Sequence, residues 1–144
     1  GEVVRLPLGC DPAIVAWVPE TQTSTEKSRT TIPPQIALGD VIFNIGHTAL
    51  VMGALASGDT AVMRAAFSDR LHQDVRLAAA PSSKNALEAA LSTSAWAAWL
   101  SGSGPTIAVM CAKADAASIS SALPADGATH VLAIDADGAV ITVE

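Results

Sequence analysis

Apolar and polar positions alternate along this chain with two different periods, one helical and one extended. Four segments carry apolar residues three or four positions apart, which places them on one face of a helix. The predicted helices cover residues 35–57, 60–77, 83–93 and 114–123. Proline before the first helix, Gly58 after it, Pro81 after the second and a capping Asp115 at the fourth mark their ends.

Six shorter segments are rich in β-branched and apolar residues and lie between turn-forming residues, as expected for strands. They cover residues 3–8, 13–18, 95–100, 106–111, 130–134 and 139–143, and Asp135 to Gly138 is a hairpin turn. Two strands, a helical block, two strands, a helix and two strands predict an α+β fold. Its helices pack on one face of a mostly antiparallel sheet.

Length and charge restrict the class of protein. The chain has 144 residues, half of them hydrophobic, which suits a single domain spanning residues 1–144. Eight basic residues against fourteen acidic ones argue against a nucleic-acid partner. The first nine residues lack a long apolar core, so neither a signal peptide nor a membrane anchor is expected. Cys10 and Cys111 are far apart and are interpreted as reduced core residues, which favours the cytoplasm.

The segment Ser101-Gly102-Ser103-Gly104-Pro105-Thr106 is the part of the chain that composition alone does not explain. Two glycines allow a backbone to approach a ligand closely, and two serines supply hydroxyl groups. The segment is therefore a candidate loop for an anionic group. A small-residue turn that joins two buried strands has the same composition, and both interpretations stay open.

Charged residues outside this loop give few signals of chemistry. Asp69, His72 and Arg76 have helical spacing, which fits either a solvated ion-pair face or a site. Arg29 lies in a polar loop, and two arginines from different segments would bind a small acid well. Asp135 and Asp137 fit a turn better than a metal site, so no metal ligand is predicted. No nucleophile elbow or Walker loop is present, and no catalytic residue is assigned.

Three segments together resemble a known family. Residues 101–106 are similar to the third motif of the GHMP small-molecule kinases. Ser24-Thr25-Glu26-Lys27-Ser28-Arg29, and Asp69-Arg70-Leu71-His72-Gln73-Asp74-Val75-Arg76, resemble the homoserine kinases within that family. The resemblance extends over nearly the whole chain, and it implies the ferredoxin-like C-terminal domain of these kinases.

The resemblance implies transfer of the γ-phosphoryl group of ATP to the hydroxyl group of L-homoserine in the cytoplasm, with Mg²⁺, as a step toward threonine. It implies that Arg29 and Arg76 hold the homoserine carboxylate. Ser101, Gly102, Ser103, Gly104 and Thr106 would form the loop beside substrate and phosphates. This reaction depends mainly on positioning and on charge stabilisation. A homodimer is one option, formed through edge strands or through the helix at residues 35–57.

The family's glycine-serine ATP loop does not occur in these residues. We therefore expect the chain to be a C-terminal domain whose ATP and Mg²⁺ ligands lie mainly in an N-terminal domain outside it, and we expect it to be inactive alone. Two alternatives stay open: a non-catalytic ferredoxin-like module that binds an amino acid, and a GHMP kinase with another small-molecule acceptor.

Overall fold

The centre of the fold is a four-stranded antiparallel sheet. The computed structural model describes residues 2–20, 32–135, 138 and 140–141. The strands are β1 (Pro12–Pro19), β2 (Ala97–Leu100), β3 (Ile107–Ala112) and β4 (Gly127–Ala133). They lie in the order β2-β3-β1-β4, with Val15 of β1 opposite Val109 and Val131. The α+β class with an antiparallel sheet is therefore confirmed.

Five α-helices accompany the sheet in the described part of the chain. They are α1 (Leu38–Ser57), α2 (Met63–Ala66), α3 (Gln73–Ala78), α4 (Pro81–Leu91) and α5 (Ala116–Ala122). The larger core lies between one sheet face and α3, α4 and α5. Alternate residues of β1 and β3 point into it, including Trp17, Ile107 and Val109, and Ile119 of α5 packs among them. This is the face that the sequence pattern predicts for the helices.

A smaller core lies on the opposite face of the sheet. Ala54 near the end of α1 and Met63 of α2 pack against Ala97 and Met110 there. The predicted arrangement with helices on one face therefore describes α3, α4 and α5, whereas α1 and α2 cover part of the second face near β2 and β3.

The predicted second helix over residues 60–77 is wrong as a continuous element. A 3-10 turn at Thr60–Val62 leads into the four-residue α2, and α3 starts only at Gln73. The carboxylate of Asp69 explains the break, because it accepts hydrogen bonds from the N–H groups of Leu71, His72 and Gln73. In a continuous helix these N–H groups would donate to backbone carbonyls instead.

The predicted strand at residues 3–8 is also wrong, since the structure gives these residues no strand. Both edges of β1 are already paired, one with β3 and the other with β4, so a hairpin to β1 has no free edge. In the predicted strand at residues 139–143, residues 140 and 141 form no strand, and the other three residues lie outside the described part of the chain. Asp137 lies outside them too.

The ends of the other helices follow local chemistry. Gly58 has φ +74°, a left-handed conformation that closes α1 as its sequence predicts. Pro81 is the first residue of α4, where its missing N–H is not needed. The predicted cap at Asp115 is wrong in detail, because its side chain accepts the Ser94 hydroxyl and no helix N–H.

Candidate active site

The glycine-serine segment forms the tight turn between β2 and β3. The Ser101 N–H donates to the Thr106 carbonyl over 2.8 Å, and the Gly104 N–H donates to the Ser101 carbonyl over 2.9 Å. Gly102 and Gly104 have φ of +56° and +77°, conformations that side chains disfavour. A Cβ at Gly104 would lie 2.8 Å from Leu100 Cδ1, whereas one at Gly102 would meet nothing within 4 Å. Gly102 therefore leaves open space at the tip of the loop.

Two side chains hold this loop from the helical side. The buried Ser83 hydroxyl at the start of α4 donates to the Pro105 carbonyl over 2.6 Å. The Gln73 Oε1 atom at the start of α3 accepts the Leu100 N–H over 2.7 Å, directly before the loop. The loop and the start of α3 are thereby fixed to each other. Sequence analysis did not predict these contacts, because Ser83 and Gln73 are uncharged and their local sequence does not indicate their partners.

Arg76 of α3 reaches the loop. Its Nη1 donates to the Gly102 carbonyl over 3.0 Å, although 26 residues separate the two. The Arg76 Nε is buried and has no hydrogen-bond partner among the described residues. A buried guanidinium N–H without an acceptor is costly, and a carboxylate would satisfy it with bidentate geometry. Arg76 and the glycine loop are therefore in direct contact, and their part in binding a substrate stays a prediction.

Asp69 lies at the centre of the polar contacts before the start of α3. Its side chain is only 8% exposed, so the solvated ion-pair interpretation does not apply to it. Asp69 Oδ2 accepts three backbone N–H groups at 2.7–3.1 Å, and Oδ1 accepts the Asn44 amide from α1 over 2.6 Å. Burial raises the pKa of Asp69, but these hydrogen bonds and the nearby His72 outweigh it, so its pKa is lowered.

Asn44 connects this cluster to α1. Its amide donates to Asp69, and its Oδ1 accepts the Arg70 N–H over 3.0 Å. Arg70 in turn lies over the Phe43 ring, 3.8 Å from its centroid. Sequence reasoning missed Asn44 and Gln73, because nothing in their local sequence indicates contacts 25 to 27 residues away.

A cavity of about 330 Å³ lies between α1, the segment before α3 and the glycine loop. Asn44, His47 and Thr48 line it from α1, and His72 and Gly102 line it from the other side. The His72 Nδ1 is buried and has no hydrogen-bond partner among the described residues. The cavity is of a size that suits a small polar molecule, and its polar wall is rich in hydrogen-bonding groups.

The other candidate residues have different outcomes. Arg29 lies outside the described residues, so its approach to Arg76 stays a prediction. His47 of α1 is half-buried, and its Nδ1 lies 2.9 Å from the Phe43 carbonyl oxygen. Asp135 accepts the Gly138 N–H over 3.2 Å, consistent with a turn. Within residues 2–20, 32–135, 138 and 140–141, no three His, Cys, Asp or Glu side chains are grouped to hold a metal.

Sequence comparison finds the same family for most of the chain. Residues 51–129 match the family described as "GHMP kinases C terminal". A homoserine kinase from Desulfitobacterium hafniense is 36% identical over 134 residues, which cover 88% of this chain and 45% of that protein. One from Thermus thermophilus is 37% identical over 124 residues, covering 83% of this chain and 42% of its own length.

Structure comparison supports the fold. The crystal structure of homoserine kinase from Cytophaga hutchinsonii superposes with a TM-score of 0.82 at 24% identity, covering 91% of this chain and 44% of that one. The chain thus spans a little under half the length of the relatives it matches. Because the family match covers more than half of the residues and includes Arg76 and the glycine loop, the chain belongs to the GHMP kinases and corresponds to their C-terminal domain.

Proposed function

We propose that this chain is the C-terminal half of a homoserine kinase. The full protein would transfer the γ-phosphoryl group of ATP to the hydroxyl group of L-homoserine, giving O-phospho-L-homoserine for threonine synthesis in the cytoplasm. Its curated relatives named homoserine kinase, at 36% and 37% identity over more than 120 residues, support this choice of acceptor.

The contact between Arg76 and Gly102 carries the proposal. One guanidinium nitrogen is used to hold Arg76 against the loop, and the buried Nε remains available for an acceptor. A homoserine carboxylate at this point would bind Arg76, and the family resemblance adds Arg29 as a second ligand of the same carboxylate. Its hydroxyl end would then lie along residues 101–106, where Gly102 leaves space for the phosphoryl group.

ATP and Mg²⁺ would be bound mainly by the part of the protein that precedes this chain. The contribution of this chain is then to bind and orient the acceptor, while charge stabilisation of the transferred group comes mostly from elsewhere. The isolated chain should be inactive, because the acceptor site alone cannot hold the phosphoryl donor.

Replacing Arg76 with alanine in the full-length protein tests the acceptor site. We expect homoserine binding to weaken by about 2–5 kcal/mol, because a desolvated charge pair is truncated, with the KM for ATP nearly unchanged. Arg64→Ala is the matched control, since Arg64 also donates to a backbone carbonyl, Ala95, but away from the loop. A homoserine KM that is unchanged in Arg76→Ala, or equally raised in Arg64→Ala, would contradict the assignment.

ADP release by the full-length wild type with different acceptors separates the alternatives. If the acceptor is mevalonate or a sugar, homoserine does not stimulate ADP release by the full-length wild type, and another acceptor does. If the chain is a binding module, no acceptor stimulates ADP release. On the 144-residue chain itself, sustained homoserine-dependent ADP release would show that the predicted inactivity is wrong.

A further inference from the structure

A second cavity, also of about 330 Å³, lies beside the outer edge of β2. Asp69 and Gln73 line both this cavity and the one described above, so the two are neighbours. The other walls differ, because α2, α3, α4 and β2 supply most of the residues here, and α1 and the glycine loop supply none. We call this second space the edge cavity.

One wall of the edge cavity is apolar. Leu77 of α3 and Leu87 and Leu91 of α4 line it together with Ala98 of β2. Leu87 and Leu91 are four residues apart and therefore lie on the same side of α4. Both are only partly buried, and they pack against the larger core. This wall suits an apolar side chain of a ligand.

Two opposite charges border the edge cavity, one from Arg64 and one from Asp74, and both residues are exposed. Within residues 32–135 neither of them forms an ion pair. Arg64 Nη2 donates to the Ala95 carbonyl over 3.0 Å, which holds the guanidinium close to β2 and leaves its other N–H groups for an acceptor. A positive and a negative group that are not paired with each other complement a ligand that carries both charges.

The backbone of β2 adds a donor and an acceptor between these charges. In the described sheet β2 has β3 on one side only. Ser101 donates its N–H to Thr106 directly opposite, so the next residue back, Leu100, belongs to a pair without mutual hydrogen bonds. Its N–H accordingly points away from β3 and is accepted by Gln73.

The same alternation turns the N–H and C=O groups of Ala98 away from β3, at the edge where Ala98 lines the cavity. Ala98 is only 8% exposed, and in the part of the chain that the structure describes neither group has a hydrogen-bond partner. Peptide groups of a nearly buried residue are costly to leave unpaired. A ligand that offers an acceptor and a donor side by side would satisfy both.

We propose that the edge cavity binds a free α-amino acid with an apolar side chain. Its carboxylate would accept the Ala98 N–H and a guanidinium N–H of Arg64, and its ammonium group would donate to the Ala98 carbonyl and to Asp74. These are the contacts that a strand residue paired with β2 would make, with charges added at both ends. The side chain would lie against the leucines of α3 and α4.

Homoserine suits the edge cavity poorly, because its hydroxyl group would be buried against leucine side chains without a partner. The proposal therefore concerns a different ligand from the acceptor discussed above. It does not depend on the identity of that acceptor or on kinase activity.

The test is calorimetric titration of the full-length protein in the presence of saturating homoserine. The probes are L-leucine, L-isoleucine, L-valine, L-methionine and L-phenylalanine. We expect at least one of them to bind with a Kd below about 5 mM, and higher values for all five would overturn the proposal. A Kd that rises in proportion to the homoserine concentration would place the probe in the acceptor site and would also overturn it.

Ligand analogues test the two charges without any change in the protein. For the tightest-binding probe, the matching carboxylic acid without the amino group and the matching amine without the carboxylate should each bind at least about tenfold more weakly. An analogue that binds as tightly as the amino acid would contradict the proposed recognition of both charges.

A pair of variants locates the site. Asp74→Asn should weaken binding of the probe at least about fivefold, because the ammonium group loses its charged partner. Glu88→Gln is the matched control, since Glu88 is an exposed carboxylate on α4 that does not line the edge cavity, and it should change the Kd less than about twofold. Equal effects of the two variants would overturn the proposal.

Homoserine-dependent ADP release by the same preparation is measured alongside. Its absence would count against the proposed function alone, because the heat of probe binding is measured in either case. Failure of the edge cavity and failure of the proposed function are thereby distinguished.

Discussion

Replacing Asp69 with asparagine changes the charge and hydrogen-bonding capacity of a buried side chain without changing its shape. The Asp69 carboxylate accepts N–H groups on both oxygens, three from the backbone on Oδ2 and the Asn44 amide on Oδ1. An asparagine can direct its one oxygen to the three backbone donors, but its NH₂ group then faces the NH₂ group of Asn44. Rotating the Asn44 amide only moves the conflict. In the wild type the Asn44 oxygen accepts the Arg70 N–H, which would lose this acceptor.

One donor therefore loses its protein acceptor in every arrangement, and three charge-assisted hydrogen bonds become neutral. Each unsatisfied buried donor costs about 1–3 kcal/mol, and a bond to a charged acceptor is worth more than a neutral one. We expect Asp69→Asn to lower the free energy of unfolding by about 2–4 kcal/mol. Urea denaturation followed by tryptophan fluorescence measures this loss in the full-length protein.

The double variant Asn44→Asp with Asp69→Asn is the sharper test. The carboxylate introduced at position 44 can accept both the new NH₂ group at position 69 and the Arg70 N–H, which restores a complete set of partners with the same net charge. We expect the double variant to be more stable than Asp69→Asn alone by at least about 1 kcal/mol. A coupling energy below about 0.5 kcal/mol would show that the described hydrogen bonds do not determine the stability of this cluster.

Three other predictions follow from single contacts. The difference in the free energy of unfolding between wild type and Asp69→Asn should have its full size above about pH 4. It should shrink as the pH falls through the lowered folded-state pKa of Asp69, which denaturation at several pH values measures. A difference that does not depend on pH contradicts this prediction. Gly104→Ala should destabilise more than Gly102→Ala, by at least about 1 kcal/mol, because both have positive φ but only Gly104 has Leu100 against its missing Cβ; equal losses contradict it. Cys10 should react with a thiol reagent faster than Cys111, which is buried and whose pKa is raised by burial and by Asp115; faster labelling of Cys111 contradicts it.

Local patterns were sufficient for most of the fold because they report burial directly. The alternation in β1 depends on a single element facing one core. The helical spacing in α1 predicted the helix although Ala54 is its one buried residue. The strand predicted at residues 3–8 failed for a different reason. Its composition suits a strand, but pairing requires a free sheet edge, and both edges of β1 are occupied by strands that come much later in the chain.

Of the candidate site, the structure describes the contact between Arg76 and the glycine loop, and the roles of these residues in binding substrate stay predictions. Arg76 and the glycine loop carry recognisable sequence patterns, and the structure brings them together. Asn44 and Gln73 carry no such pattern, because an asparagine or glutamine inside a helix is equally compatible with exposure to solvent. Their roles exist only through partners far away in sequence.

The sequence by itself determined the α+β class, the turn at residues 101–106 and the family, because each can be recognised from the residue patterns of short segments. Only the tertiary structure decided where the helix over residues 60–77 breaks and how Asp69 joins α1 to α3. These features depend on which hydrogen-bond donors and apolar surfaces meet across long sequence separations, and local propensity carries no information about those encounters.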